Sequence, residues 1–368
     1  MLNPQDPGAR PGPNESANWR ATARFTEGYK RLRTFRRSSD WQLLDEAEKL
    51  LQEAIVMDPA YQSARFHLGV VEELKGRHED AAHQFEEVLT LADRAETEVL
   101  YNAGLAYFHQ YSNKGYERAE TYLREASAVA ERGPRGSQDS QRDRAVGVLA
   151  RAVLAQVYSH QAIRPVNEPA ARFKPLAETY YQKALETAGE ALKEFESSEA
   201  AIEKVDPTLK NDIGWGIHNA RGHAKLYAGQ RSEDATEKEK LFSEALAEFK
   251  RALEYDPDNV RVLSNIGSAR LFQAQTSGGP SKPSLLDEAE REFQRVLTLV
   301  PDYDFAYCRL AQIEIERGDS KAAEKYLELA KKHPSEMTPE YLQALKERID
   351  SMPIRLLKPF EFRPPQTR

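Results

Sequence analysis

The chain has 368 residues, 40% apolar and 30% charged, with a net charge of −7 and one cysteine. A single thiol excludes an internal disulfide framework, and the acidic balance argues against a general nucleic-acid binder. No run of about eighteen apolar residues occurs, so no membrane span is expected.

Cys308 alone fits a reducing compartment, and MLNPQDPGARPGPNES holds no apolar export core, so a cytoplasmic protein is expected. Residues 1–15 read as a disordered leader. A helix is expected from about Asn18 to Phe35, with Trp19, Phe25, Leu32 and Phe35 as apolar contacts.

The stretch 62–93 sets the pattern for the rest. Leu68 and Gly69 fall in one amphipathic helix and Gly76 marks a turn. Ala81, Phe85 and Val88, spaced by four and three, share one face of a second helix. Gly69 and Ala81 are small enough for the two helices to cross closely. Such a hairpin cannot bury its apolar face alone, and the chain supplies copies of it. Upstream, Ala47, Leu51, Ala54 and Pro59 repeat the second-helix pattern, and Pro59 ends it for want of a backbone donor. Ala54 and Val88 stand about 34 residues apart, the period of one repeat class.

Downstream, Gly104 and Tyr107 pair with Ala119, Leu123 and Ala126 across the longer turn YSNKGY. ERGPRGSQDSQ reads as a linker. Leu154, Ala155 and Tyr158 then pair with Ala177, Tyr181 and Ala184 across QAIRPVNEPAARFKP. Gly222, Ala224 and Gly229 pair with Ala245, Phe249, Ala252 and Pro257 across the charged insert RSEDATEKEK. Leu263, Ile266 and Gly267 pair with Ala289, Phe293, Val296 and Pro301 across TSGGPSKPS. Tyr307, Leu310, Ala311, Gly318, Ala323, Leu327 and Ala330 keep the frame without an insert. A last helix, about Pro339 to Ile349, would cover the final apolar face, as repeat arrays require.

This pattern resembles the tetratricopeptide repeat family, in which a helix bearing a glycine is followed by A-x3-F, A and P at fixed offsets. Ala245-x3-Phe249-x2-Ala252-x4-Pro257 and Gly267 with Ala289-x3-Phe293 and Pro301 carry the resemblance most fully. It implies an all-α, right-handed α-solenoid of about six to seven helix hairpins with a C-terminal capping helix. Units are expected at about 17–60, 61–95, 96–132, 140–196, 208–258, 259–302 and 303–336, with the capping helix at 338–350 and an irregular tail at 351–368.

The resemblance further implies that the first helix of each unit lines a concave groove. Its residues would be Phe66, His67, Val70, Tyr101, Asn102, Leu105, Phe108, Gln156, Asn219, His223, Ser264, Asn265, Ser268, Phe305, Arg309 and Gln312. Asparagines suit an extended peptide backbone, and phenylalanine or tyrosine supplies pocket walls. Some family members grip the C-terminal carboxylate of chaperone tails with two lysines, two asparagines and an arginine. Asn265 and Arg309 match two of those places, but Asn219, His223 and Phe305 fill the others, so both lysines are missing.

Arg221, Lys225 and Arg270 stand where apolar or aromatic residues are usual. Their stems can lie along apolar surface, or they can form a basic spot near the groove. A second basic feature is the block Arg24, Lys30, Arg31, Arg33, Arg36 and Arg37, opposed within its own stretch only by Glu27. It is either a solvated helix face or a contact for nucleic acid or an acidic partner. The eight histidines show no ligand spacing, His78 and His83 being five apart like His218 and His223, so no metal and no cofactor is expected. Cys308 has no evident base beside it and reads as a small groove-side residue. TSGGPSKPS lacks the GKS/GKT ending of a phosphate-binding loop and does not follow a strand. The expectation is a non-catalytic scaffold or adaptor that binds a peptide or helix of a protein partner, with no membrane partner. The alternatives are a regulatory or sensor subunit acting through the basic block, and an enzyme with an unfamiliar site.

Overall fold

The computed structural model describes residues 18–38, 40–92, 96–133, 138–163, 170–276, 279–332 and 339–352. The expected leader, most of the tail and some of the linker lie outside them. Among the described residues there are fifteen α-helices and no strand. The first eight are α1 (Trp19–Ser38), α2 (Trp41–Met57), α3 (Gln62–Leu74), α4 (His78–Leu91), α5 (Thr97–Phe108), α6 (Asn113–Arg132), α7 (Gln138–Ile163) and α8 (Ala170–Val205). The others are α9 (Pro207–Arg231), α10 (Ala235–Tyr255), α11 (Val260–Thr276), α12 (Ser281–Leu299), α13 (Asp304–Arg317), α14 (Ser320–Lys332) and α15 (Pro339–Asp350).

The chain forms two compact units, Met1–Ile213 and Gly214–Arg368. In the first, α1 packs on α2, α3 on α4, α5 on α6 and α7 on α8, and each pair leans on the next through α2 and α3, α4 and α5, and α6 and α7. In the second, α10 to α14 pack in succession and α15 closes over α13 and α14. Leu345 and Ile349 of α15 are buried with Leu327 and Ala330, as a cap requires. The all-α stack of hairpins therefore stands as expected.

Close crossing explains the small residues. A methyl group placed on Gly69 would sit 2.8 Å from Phe85, one on Gly267 2.8 Å from Phe293, and one on Gly222 2.5 Å from Phe249. Each ring occupies the space of an absent side chain on the facing helix. Two hairpin turns share a further device. Gly76 and Gly318 adopt left-handed backbone, φ +74° and +82°. Arg77 N then donates to Glu72 O (2.9 Å) and Asp319 N to Glu314 O (2.9 Å), which satisfies carbonyls at the ends of α3 and α13.

Four expectations need correction. The linker ERGPRGSQDSQ does not separate neighbouring bodies, because α7 begins inside it and packs on α6. The inserts are mostly helix rather than loop. RSEDATEKEK is used up by the last residue of α9, a short turn and the start of α10, where Asp234 accepts from Glu237 N (2.8 Å) as an N-cap. Likewise α8 begins at Ala170, α12 at Ser281 and α6 at Asn113. Helix-forming charged residues continue the helix once a cap is available. Trp19 is not an inward contact: it is 73% exposed at the first turn of α1, with the Arg20 guanidinium 5.4 Å from its ring. Cys308 is not groove-side. It is fully buried beside Leu327 and Ile349, and burial, with Asp304 nearby, pushes its thiol up to about 12.

Candidate partner-binding faces

In the second unit the first-helix residues converge on Arg309. Its guanidinium lies 4.8 Å from the ring of Phe305, on its own helix, and 5.3 Å from Phe272 on α11. Arg309 Nη1 donates to Gln312 Oε1 (2.8 Å), and Gln312 Nε2 to the Tyr341 hydroxyl (2.8 Å). Arg309 Nε is buried with no acceptor, and among the described residues no carboxylate pairs with this arginine. A cation stacked on rings and left without a counter-ion is ready for an anionic group from outside. On α11, Ser268 precedes Phe272 by one turn, and its buried hydroxyl also lacks a partner.

Beside that cluster, Asn265 Nδ2 donates to Asn219 Oδ1 (2.9 Å), which ties α11 to α9. Asn265, Phe305 and Arg309 are half-buried, whereas Asn219, His223, Ser264, Ser268 and Gln312 are less than a tenth exposed. His223 packs edge-on against Tyr227, ring centroids 4.5 Å apart. Phe272, Tyr227 and Tyr341 were not among the sequence candidates. Phe272 was findable, because it lies one helical turn beyond Ser268 on the same face.

In the first unit, Phe66 and Leu105 are half-buried, while His67, Val70, Tyr101, Asn102, Phe108 and Gln156 are less than a tenth exposed. Asn102 Nδ2 is engaged by its own helix at Glu98 O (2.7 Å). Phe66 packs tilted against Phe85 (ring centroids 5.6 Å apart) and lines, with Gln62, Ser63 and Val99, a cavity of about 130 Å3. The groove candidates of this unit thus offer mainly apolar edges, and those of the second unit offer amides and a cation.

The cations at aromatic positions are clasped by acids of the following helix. Arg221 meets Glu248 at 3.0 Å, Lys225 meets Glu244 at 3.1 Å, and Arg270 meets Glu288 at 2.9 Å. They brace hairpins and form no bare basic spot. Glu248 also takes His218 Nδ1 at 2.9 Å. Burial alone would raise its carboxyl, but the His218 hydrogen bond together with Arg221 and Lys225 holds it below the usual carboxylate range.

The N-terminal basic block is partly neutralised from α2. Arg24 pairs with Glu53 (3.0 Å), and Arg31 with Glu46 (3.0 Å) as well as Glu27 (3.2 Å). Lys30 is exposed, and the Arg33 guanidinium lies 6.0 Å from the Tyr29 ring. The side chains of Arg36 and Arg37 lie outside the described residues.

Histidine spacing within single helices is a poor guide in this chain. His83 is exposed on α4, but His78 and His109 approach each other with Glu73, one donor atom from each lying within 4.8 Å of the others. His109 belongs to the next hairpin, so no local motif announces the cluster. The only signal is a separation of one repeat length, 36 residues between Glu73 and His109.

Comparison with known proteins agrees with this architecture. Residues 42–96 and 306–332 match tetratricopeptide repeat models. The fold is similar to that of a tetratricopeptide repeat protein from Parabacteroides merdae, at 12% identity over 91% of this chain and 100% of that one, with a TM-score of 0.51. A tetratricopeptide protein of Thermus thermophilus aligns at 14% identity over 69% of this chain and 97% of that one, TM-score 0.43. No curated protein matches the sequence. Fold and matched segments together define a helical repeat protein of the kind that serves as a protein-interaction scaffold. The chain carries tetratricopeptide repeats at residues 42–96 and 306–332 within a fold of tetratricopeptide type. No helix among the described residues is long and apolar enough to cross a membrane.

Proposed function

We propose that this protein is a non-catalytic adaptor that holds an extended segment of a partner protein against the first helices of its hairpins. The observation that carries the reading is Arg309, stacked on two phenylalanines and, among the described residues, without a carboxylate partner. A partner carboxylate, from a side chain or a chain terminus, would complete it. Asn265, held by Asn219, presents amide groups suited to an extended backbone. Phe305 and Phe272 offer apolar walls beside the charge. The missing lysines set this face apart from a chaperone-tail clamp, so the acidic group would be read by one arginine within an apolar frame. A pre-built face of this sort lowers the ordering cost of binding.

The test is selection of displayed random peptides on the full chain, followed by affinity measurement on the winners. Enriched peptides are expected to carry an acidic residue or a free terminus next to an aromatic or aliphatic one. Arg309→Met should weaken them by about 10- to 100-fold, the worth of a charge-assisted hydrogen bond. Peptides that bind Arg309→Met and Asn265→Ala as well as the parent, with helicity unchanged, would overturn the proposal.

A further inference from the structure

The two adjacent glutamates at the end of α3 point to opposite neighbours. Glu72 turns to Arg77, which also bonds Glu48 of α2 (2.7 Å), while Lys75 pairs with Glu48 and Asp45. Lys75 and Arg77 are thus both engaged by other carboxylates, Asp45 and Glu48 of α2 and Glu72 of α3. Glu73 faces the other way and is buried, its side chain 5% exposed. Among the described residues no lysine or arginine pairs with it. Its partners are imidazoles: His78 Nδ1 at the start of α4, 2.9 Å from Oε2, and His109 Nδ1 at the end of α5, bonded to Oε1. Among the described residues its close side-chain partners are thus these two rings, in a poorly hydrated place.

The two rings lie 5.3 Å apart, inclined at 58°, and one nitrogen of each lies within 4.8 Å of the other and of a Glu73 oxygen. Phe108 and Tyr111 pack within 5.6 and 6.4 Å of the His109 ring and shield it, and Tyr111 adopts left-handed backbone (φ +47°) in doing so. His109 is 13% exposed and His78 29%, which leaves a path from solvent past His78. Two imidazole nitrogens and one carboxylate oxygen, with a water as fourth ligand, make the donor set of a four-coordinate zinc site. Imidazole also discriminates against magnesium and calcium, which prefer oxygen alone.

We propose that Glu73, His78 and His109 bind a divalent transition-metal ion of the zinc class, clipping the α3–α4 hairpin to α5 of the next. The ion binds one carboxylate oxygen and two imidazole nitrogens. A water completes its coordination on the His78 side. Because the ligands come from three helices, the metal favours the packed form over any form in which α5 has come away.

Full-length protein freed of metal by chelator dialysis is titrated with zinc chloride by calorimetry, and with cobalt chloride by visible absorption. One zinc per chain is expected, with a dissociation constant at or below about 1 μM. Four-coordinate cobalt should give the strong visible bands that hexaaquacobalt lacks. Saturating zinc should raise the unfolding midpoint by about 5 °C, reversed by chelator. His78→Asn and His109→Asn each keep a donor toward Glu73 and remove a metal ligand. Each should lose affinity by on the order of 100-fold, with circular dichroism confirming that the helices persist. His83→Asn, on an exposed neighbour, should bind as the parent does. No stoichiometric binding by the parent would show a carboxylate–histidine clasp and refute the site. Binding that survives both His78→Asn and His109→Asn would refute it equally.

Discussion

The contact between Gly222 and Phe249 is the sharpest test of how the hairpins are held. Phe249 is fully buried among Leu226, Phe242 and Leu246. Removing the ring with Phe249→Ala should destabilise the second unit by about 3–5 kcal/mol, transfer and cavity terms together. In the parent, Gly222→Ala places a methyl 2.5 Å from one ring carbon and 2.6 Å from the next, and a fully enclosed ring has nowhere to retreat. Overpacking of that kind costs about 1–3 kcal/mol. Alanine returns about 1 kcal/mol through its better helix propensity, so a net loss of up to roughly 2 kcal/mol is expected. In the Phe249→Ala background the clash is gone, and the same methyl both favours the helix and fills some of the hole. There Gly222→Ala should stabilise by about 1 kcal/mol, a reversal of sign. Trp215 is partly buried against this cluster, whereas Trp19 and Trp41 are exposed. With those two changed to phenylalanine, urea unfolding followed by Trp215 fluorescence reads the second unit locally, as an array that need not unfold in one step demands. Effects that add within about 0.5 kcal/mol, or a stabilising Gly222→Ala in both backgrounds, would refute the reasoning.

Two further outcomes use the same probe. Glu248 has a carboxyl held below its unfolded value, so its stabilisation is present above the ordinary carboxylate range and is lost as pH falls through the folded value. Glu248→Gln should therefore cost stability at about pH 7 and lose less than the parent between about pH 5 and pH 3, a difference that paired urea curves measure. Asp234→Ala removes the N-cap that accepts from Glu237 N (2.8 Å) and should destabilise α10 by about 1 kcal/mol; no change would mean that the charged stretch is loop after all.

The helix framework was legible because it is written locally. Small residues on first helices and Ala-x3-Phe on second helices recur along the chain, and the structure seats Gly69 on Phe85, Gly222 on Phe249 and Gly267 on Phe293. The inserts between them differ from expectation because polarity alone does not mean loop. Asp234 shows why: a capping side chain turns a charged run into helix, so the second helix lengthens at its start while the Gly–Phe crossing stays put. Site chemistry was less legible for a different reason. Side chains that meet across neighbouring hairpins are about one repeat apart, and a search for ligands within one helix passes them by. Arg309 was found from its register, but its stacking on Phe272 required knowing that α11 and α13 lie side by side. Glu73 and His109 required the same knowledge of α3 and α5. In a stacked array the informative neighbour of any residue is the one at the same place in the adjacent unit. Polar residues that break the repeat consensus are therefore best compared in pairs one period apart, and in this chain that comparison picks out Glu73 with His109.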